Sequence, residues 1–276
     1  MSNHISNFYK VRLSGWQLYV SKDFAASGRQ HKLEADEKLD GIRGPFIKEE
    51  SSRFADVFKC SISFAGYCHN VFVKRYLHRS AWDFVKHIFR PSRAKRALLA
   101  SIMLKENGLG IAEVIAMGQK KYGPFCVSNF LITRELEDAQ NVHNCITEKW
   151  QTNTKNTLLD KRRFIVTLGK TIGKMHAAGI FHGDLRTGNV FAGKVNGDWE
   201  FFFLDNERTR RFRRIGQRLR IKNLVQINML EPGLVSATER MRFFKSYLKA
   251  NQYIQHRYKN MQKQVVSKTN YRLSKY

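Results

Sequence analysis

Two carboxylates and one amide, held at fixed spacing, constrain this chain more than any other sequence feature. The segment FHGDLRTGNVF contains Asp184 and, five positions later, Asn189; Asp205 follows after another sixteen residues. The residues between Asn189 and Asp205 predict a tight hairpin with its turn at Asn196 and Gly197. This hairpin delivers Asp205 at its far end, so the three polar side chains are tied to one local structure.

A helix is predicted directly before this segment. In KRRFIVTLGKTIGKMHAAGI, the apolar residues Phe164, Leu168, Ile172 and Met175 recur at spacings of four, four and three. Such spacing is typical of one buried helical stripe, and Gly179 is a plausible stop. The polar segment therefore lies between a helix and a hairpin.

The first half of the chain is predicted to be rich in β-strands, with one internal helix. Alternating and β-branched stretches predict the strands, an Ala/Leu/Met-rich run with Ser92 as N-cap and Gly108 as stop predicts the helix, and residues from about Leu224 onward look helical. The predicted strands cover residues 8–20, 54–64, 71–76, 111–117 and 125–133, with a turn over 66–70 and the helix over 92–107.

Composition excludes several classes of protein. Hydrophobic residues make up 42% of the 276 residues and include 20 Phe, which is enough to build a core and argues against a disordered basic chain. The four cysteines show neither zinc-ligand nor disulfide spacing, so a reducing cytosolic compartment is expected. Neither a secretion signal nor a membrane-spanning segment is expected.

Positive charge is concentrated in two stretches. The chain has 49 Lys and Arg against 23 Asp and Glu, a formal net charge of +26. Residues 208–222 hold seven Arg and Lys222, and residues 240–276 hold ten Lys or Arg, with no acidic residue in either stretch. Such clusters attract nucleic acid, anionic phospholipid headgroups or a phosphorylated and carboxylated glycolipid. They also occur as plain solubilising surfaces, and charge alone does not choose among these.

The H-x-D-x-x-x-x-N spacing matches a kinase catalytic loop. Asp184 would orient the attacking hydroxyl and accept its proton, and Asn189 and Asp205 would supply oxygen ligands to Mg²⁺. Lys74, in V-F-V-K, resembles the strand lysine that contacts the α and β phosphates of ATP. His182 is interpreted as a packing residue without a catalytic part.

The chain resembles the lipopolysaccharide core kinase (Kdo/WaaP, InaA-like) family of the protein-kinase-like superfamily. The segments that carry the resemblance are VFVKRY at 71–76, FRPSRAKRA at 89–97, FHGDLRTGNVF at 181–191, FLDNER at 203–208 and RMRFFKSYL at 240–248.

The resemblance implies a two-lobed α+β fold and a sugar kinase. Residues 1–135 would form a β-rich, ATP-binding lobe with one key helix, and residues 136–276 a mainly helical lobe with the catalytic loop and the basic tail. The enzyme would transfer the γ-phosphate of ATP, with Mg²⁺, to Kdo or heptose of the lipid A–core glycolipid. It would work as a peripheral protein at the cytoplasmic, anionic face of the bacterial inner membrane.

Two departures from the kinase pattern leave alternatives open. The G-x-G-x-x-G motif is absent, and EESSR at 49–53 occupies the expected turn. The helix over 92–107 has no mid-helix glutamate for Lys74, so another carboxylate pairs with it, or it works unpaired, or the protein is a weakened relative. The other functions considered are a phosphotransferase for a soluble small molecule or a protein, and a non-catalytic polyanion binder. No nucleic-acid partner is expected, because no recognised motif is visible.

Overall fold

A computed structural model describes residues 5–26, 47–49, 54–64, 67–77, 90–150, 154–231, 233–251 and 258–275. The chain divides into two compact units. The first comprises residues 1–103 and 112–136, and the second residues 104–111 and 137–276. Assignment of ATP binding to the first of them stays a prediction.

The first unit contains an antiparallel sheet of seven strands in the order β1-β2-β7-β8-β5-β4-β3. One helix, α2, belongs largely to this unit, and a short helix, α1, follows β2. The elements are β1 (Phe8–Leu13), β2 (Trp16–Ser21), α1 (Lys22–Ala26), β3 (Ile47–Glu49), β4 (Ala55–Phe64), β5 (Tyr67–Tyr76), α2 (Arg93–Glu106), β7 (Val114–Tyr122) and β8 (Phe125–Arg134).

Polar side chains of the sheet anchor the start of α2. Ser92 caps the helix, because its Oγ accepts a hydrogen bond from the backbone N–H of Lys95 at 3.2 Å. The same hydroxyl donates to Gln119 of β7, and Asn129 of β8 accepts from the backbone N–H of Ala94. Both predicted ends of this helix are confirmed, since the chain leaves it at Gly108 with φ +67°.

The second unit contains most of the helices and a small mixed sheet in the order β6-β12-β11-β9, with a two-stranded ladder of β10 and β13. Its elements are β6 (Gly110–Ile111), β9 (Gln140–Asn141), α3 (Val142–Glu148), α4 (Lys155–Ala177), β10 (Ile180–Phe181), β11 (Val190–Val195), β12 (Asp198–Phe203), β13 (Arg210–Arg211), α5 (Gln217–Ile227), α6 (Ala237–Ala250) and α7 (Tyr258–Leu273).

The long helix α4 is the centre of this unit. Its predicted apolar stripe, Phe164, Leu168, Ile172 and Met175, is buried as expected. Two glycines on α4 allow α6 to approach closely: a Cβ added at Gly169 would lie 2.4 Å from the backbone oxygen of Phe243, and Gly173 is similarly crowded by α6. Among the described residues no helix has the length and apolarity needed to span a membrane.

Several predicted strand and helix limits were wrong for local reasons. Residues 8–20 are two strands, because Ser14 and Gly15 both adopt positive φ, 44° and 80°, and form a two-residue hairpin turn. The predicted turn over 66–70 is mostly strand, since β5 already begins at Tyr67. The stretch 111–117 is split into β6 and β7, and the helical region starts at Gln217, before Leu224. Residues 50–53 of the proposed phosphate-binding turn lie outside the described residues.

Candidate active site

The β11–β12 hairpin brings Asn189 and Asp205 to the same end of one ladder. Val190 pairs with Phe203 in register, and beyond this pair the backbone N–H of Leu204 donates to the carbonyl oxygen of Asn189 at 2.9 Å. Asp205 is the next residue along the chain. The amide and the carboxylate are therefore positioned by the hairpin's own hydrogen bonds.

Asp184 is tied to this hairpin end by Asn189. The side-chain nitrogen Nδ2 of Asn189 donates to the backbone oxygen of Asp184 at 2.9 Å. This bond uses the amide's donor end toward the loop and turns the acceptor end, Oδ1, away from it. The loop of Asp184 and the metal-ligand candidate Asn189 thus hold each other in place.

Two side chains contact the carboxylate of Asp184. Its Oδ1 lies 3.0 Å from Nε of Arg186 and accepts a hydrogen bond from Nε2 of Gln226 at 3.3 Å. Asp184 remains partly exposed, with a quarter of its side-chain surface accessible. A carboxylate that is oriented by donors yet open to solvent can meet an incoming hydroxyl group.

Asp205 adopts a backbone conformation that is uncommon for residues other than glycine. Its φ and ψ are 58° and 44°, in the left-handed region, which costs about 1 kcal/mol or more. It precedes the short turn Asn206–Arg208, and its side chain does not cap that turn. Left-handed residues held against their preference cluster at functional sites. Because its side chain makes no capping hydrogen bond, Asp205 does not act as an ordinary N-cap of this turn.

The donor set of Asn189 and Asp205 suits magnesium. Mg²⁺ prefers oxygen ligands and is commonly bound by one or two carboxylates together with phosphate oxygens and water. Within the described ranges, no group of three or more His, Cys, Asp or Glu forms a self-sufficient metal cluster. One carboxylate and one amide oxygen fit an ion that is completed by a substrate's phosphates.

His182 is a buried structural residue. Its Nδ1 accepts from the backbone N–H of Asp184 at 3.2 Å, so Nε2 carries the proton and faces the backbone oxygen of Leu204 at 3.1 Å and Oδ1 of Asn206 at 3.2 Å. Burial lowers the pKa of His182. The neutral ring ties the loop of Asp184 to the segment after β12, in line with the packing and hydrogen-bonding role predicted from the sequence.

Asn223 on α5 fixes the backbone of the same loop, a role that was not predicted from the sequence. Its Oδ1 accepts from the backbone N–H of His182 at 3.2 Å, and its Nδ2 donates to the backbone oxygen of His182 at 2.6 Å. Its remaining capacity is used by Nε2 of His176 at 3.1 Å and Oε1 of Gln226 at 3.0 Å. With every donor and acceptor engaged, the amide has one possible orientation.

These bonds form a chain of donors and acceptors that ends on the carboxylate of Asp184. Tyr247 donates to His176, whose Nε2 donates to Asn223, whose Nδ2 donates to Gln226, whose Nε2 donates to Asp184. The donor directions follow because Oδ1 of Asn223 can only accept. Polar residues three apart on an otherwise basic helix, at 223 and 226, were the available sequence signal.

Stability should fall in mildly acidic solution because of the buried histidines. Burial lowers the pKa of His176 from 6.5 to about 3. In the unfolded chain the imidazole takes up a proton near its ordinary pKa, so below pH 6.5 the unfolded state binds more protons and the free energy of unfolding decreases, by up to about 1.4 kcal/mol per pH unit for one histidine.

Urea unfolding between about pH 7.5 and pH 5 measures this slope. His176→Gln keeps a donor and an acceptor at the site and should remove part of the slope, leaving the share of His182. An identical slope in the variant and the wild-type protein would contradict the assignment.

Lys74 belongs to the first unit, at the centre of its sheet. It pairs with Val57 of β4 and Leu131 of β8, and alternation along β5 places it on the same face as Tyr76. Its Nζ lies 5.5 Å from the centroid of the Tyr76 ring, and Tyr76 is buried in the cluster that includes Leu98 of α2. Lys74 is therefore on the helix-covered face of the sheet.

Two carboxylates of the first unit that could be considered for Lys74 have other partners. Glu113 lies 3.2 Å from Nε of Arg134, and Glu135 pairs with Lys59. Glu106 is the last residue of α2, as the sequence predicted.

A known protein family matches most of the chain. Residues 39–247 match the sequence model of the lipopolysaccharide kinase (Kdo/WaaP) family, which is well over half of the chain. The chain belongs to the Kdo/WaaP lipopolysaccharide kinase family. The family predicted from the sequence is thereby confirmed, and with it a phosphotransferase acting on the lipopolysaccharide core.

A solved structure described as WaaP in complex with acyl carrier protein shares the fold. The TM-score is 0.60 at 16% identity, and the match covers 92% of this chain and 98% of that chain. No curated protein sequence matches this member of the Kdo/WaaP family significantly. The predicted α+β, kinase-like fold class is confirmed.

Proposed function

We propose that the protein is an ATP- and Mg²⁺-dependent kinase that phosphorylates a sugar hydroxyl, on Kdo or heptose, of the lipopolysaccharide inner core. The observation that carries this proposal is the end of the β11–β12 hairpin. There Asn189 and Asp205 are held together, and Asn189 bonds the backbone of Asp184, in a chain of the Kdo/WaaP family.

In this mechanism Asp184 orients the acceptor. Its carboxylate accepts a hydrogen bond from the sugar hydroxyl and takes the proton as the oxygen bonds to the γ-phosphorus and the bond to the β–γ bridging oxygen breaks. ADP leaves with the electron pair of that bond. Phosphoryl transfer has a loose transition state, so alignment by Asp184 matters more than its strength as a base.

Asn189 and Asp205 would hold the metal ion. When bound, Mg²⁺ supplies neutralisation of the charge on the ATP phosphates. The oxygens of Asn189 and Asp205 would fix the position of the ion, and the hydrogen bond from Asn189 to the backbone of Asp184 would link that position to the acceptor side.

Lys74 would contact the α and β phosphates of ATP from the first unit. We expect Lys74→Met to lower kcat by about 100-fold, because an uncompensated phosphate charge raises the barrier to transfer. Lys10→Met, which removes an exposed lysine from β1, is the matched control and should retain wild-type turnover. Full activity in Lys74→Met would remove Lys74 from the site.

The proposed acceptor is an anionic glycolipid at the cytoplasmic face of the inner membrane, and the two basic stretches would attract it. Within residues 208–222 the guanidinium of Arg220 is buried, and its Nε donates to the backbone oxygen of Ile215, so Arg220 serves the fold. Its neighbours Arg213, Arg214 and Arg218 are exposed. Exposed arginines can attract phosphate and carboxylate groups at this surface.

Transfer of radiolabelled γ-phosphate tests the function directly. Wild-type protein with Mg²⁺ and ATP should label either a Kdo-terminated or a heptose-terminated lipid A–core precursor, and chelation of Mg²⁺ should stop labelling. Label appearing only in soluble sugars, small alcohols or proteins would replace this proposal with the soluble phosphotransferase. ATP-independent glycolipid binding without any transfer would indicate the non-catalytic polyanion binder.

A further inference from the structure

A groove of about 730 Å³ in the second unit opens beside the catalytic loop. The loop residues Arg186 and Asn189 line one part of it, and Gln226 of α5 lines another. Because Gln226 and Arg186 both contact the carboxylate of Asp184, the groove lies next to the group proposed to orient the acceptor. Elsewhere it is lined by Asn141, His143, Asn144, Arg272 and Lys275.

The lining is cationic and polar. It includes the exposed residues Arg186, Arg272 and Lys275. None of the described residues in the lining is Asp or Glu. Amide groups and one imidazole supply further hydrogen-bonding atoms. Such a lining suits a ligand with phosphate or carboxylate oxygens, since guanidinium groups bind these in pairs of hydrogen bonds.

Two of the three cations come from the far end of the chain and are positioned by buried contacts of α7. Met261, Val265 and Thr269 are buried along one side of this helix. The hydroxyl of Thr269 accepts a hydrogen bond at 3.0 Å from Nδ2 of Asn228, which terminates α5. Arg272 lies three residues beyond Thr269, on the same side of the helix.

The end of α5 therefore contacts both Asp184 and α7, the two parts of the unit that border the groove. Gln226 donates to Asp184, and two residues later Asn228 holds α7. Asn228 is itself fixed by Arg240 of α6, whose Nη1 donates to its backbone and side-chain oxygens. These contacts tie the backbone that carries Arg272, and Lys275 just beyond the helix, to the end of α5 that also reaches Asp184.

We propose that this groove binds an anionic oxygen group of the acceptor glycolipid, with Arg272 and Lys275 as binding residues that hold it for transfer at Asp184. The inference rests on the proposed function for the identity of the glycolipid. It does not depend on that function for the prediction that the groove binds anions.

The test compares two double variants that remove the same charge from residues 258–275, the segment that contains α7. Arg272→Gln/Lys275→Gln alters the groove, whereas Lys259→Gln/Lys263→Gln removes two exposed lysines from the opposite side of α7. All four residues are exposed, so both variants should fold. Equilibrium binding is measured with detergent-dispersed Kdo-terminated lipid A, with its dephosphorylated form, and with inorganic phosphate as competitor.

We expect the groove variant to bind the glycolipid about tenfold more weakly and the control variant to bind like wild type. In the transfer assay the KM of the groove variant for the glycolipid should be about tenfold higher than that of wild type, while its KM for ATP changes less than twofold. A smaller loss with dephosphorylated lipid A identifies phosphate as the bound group, and an equal loss identifies the Kdo carboxylate. If inorganic phosphate displaces the glycolipid from the wild-type protein, the result supports an anion site in the groove that also accepts free phosphate.

Equal weakening in both variants would show a non-specific charge effect and overturn the proposal, as would wild-type binding by the groove variant. Failure of the wild-type protein to label any glycolipid would refute the proposed function only. The binding comparison would still decide the groove, because it requires neither ATP nor turnover.

Discussion

Asp184→Asn is expected to lower kcat for phosphoryl transfer by about three orders of magnitude, the middle of the range for removing a positioned acid–base group. The amide is nearly the same size as the carboxylate, and its oxygen can still accept from Arg186 and Gln226, so the loop should keep its structure. What disappears is the negative charge that we propose aligns the acceptor hydroxyl and takes its proton. ATP affinity should change little, because the proposed mechanism places Asp184 at the acceptor and not at the nucleotide.

The control for this substitution is Asp198→Asn. Asp198 is exposed and begins strand β12, at the opposite end of the strand from Asp205, so it removes an equal charge from the same hairpin. Initial rates at saturating ATP and glycolipid, together with ATP binding by calorimetry, measure both effects. Turnover within about tenfold of wild type in Asp184→Asn would refute the mechanism, since this is less than the smallest contribution expected of a positioned acid–base group.

Asp205→Asn is expected to weaken Mg²⁺-dependent ATP binding by about 100-fold or more. Loss of partners that only support a metal ligand costs up to about 100-fold in metal affinity, and Asp205 is proposed as a ligand itself. Asn is preferred over Ala here because Asp205 has φ +58°, a conformation that Asn tolerates and Ala does not. The variant therefore tests the charge of the ligand without adding backbone strain.

The measurement is the ATP dissociation constant with Mg²⁺ and with EDTA. The wild-type protein should bind ATP more tightly with Mg²⁺, and Asp205→Asn should lose most of this difference while its thermal stability stays close to that of wild type. Asp198→Asn should keep the difference. If Asp205→Asn responds to Mg²⁺ as the wild type does, Asp205 is not a metal ligand.

Much of the site was predictable because its parts are local. Asn189 and Asp205 flank a hairpin whose turn and strand pattern are legible in the sequence, so their proximity follows from one ladder. The buried face of α4 follows from its spacing of apolar residues, and the face of β5 that carries Lys74 follows from the period of two. The family was predictable for the same reason, because the motifs that carry the resemblance are local. The match to the family's sequence model confirms it.

The errors arose where a short-range pattern had two interpretations. A run of strand-forming residues from 8 to 20 conceals the Ser14–Gly15 turn, although both residues are suited to tight turns. Arg220 looked like a member of the exposed basic stretch, and only the packing of α5 shows that it is buried. The charge of a segment is a sum over its residues, whereas the burial of each residue depends on the packing around that residue.

By itself, the sequence determined the helices α2 and α4, the β11–β12 hairpin, the spacing of Asp184, Asn189 and Asp205, and a strongly basic composition. The tertiary structure alone decided which distant groups serve that site. One donor to Asp184 comes from Gln226, 42 residues further along the chain, and the backbone of His182 is held by Asn223, 41 residues after it. Hydrogen bonds between such distant side chains depend on how whole helices pack, and a packing arrangement leaves no periodic trace in the sequence.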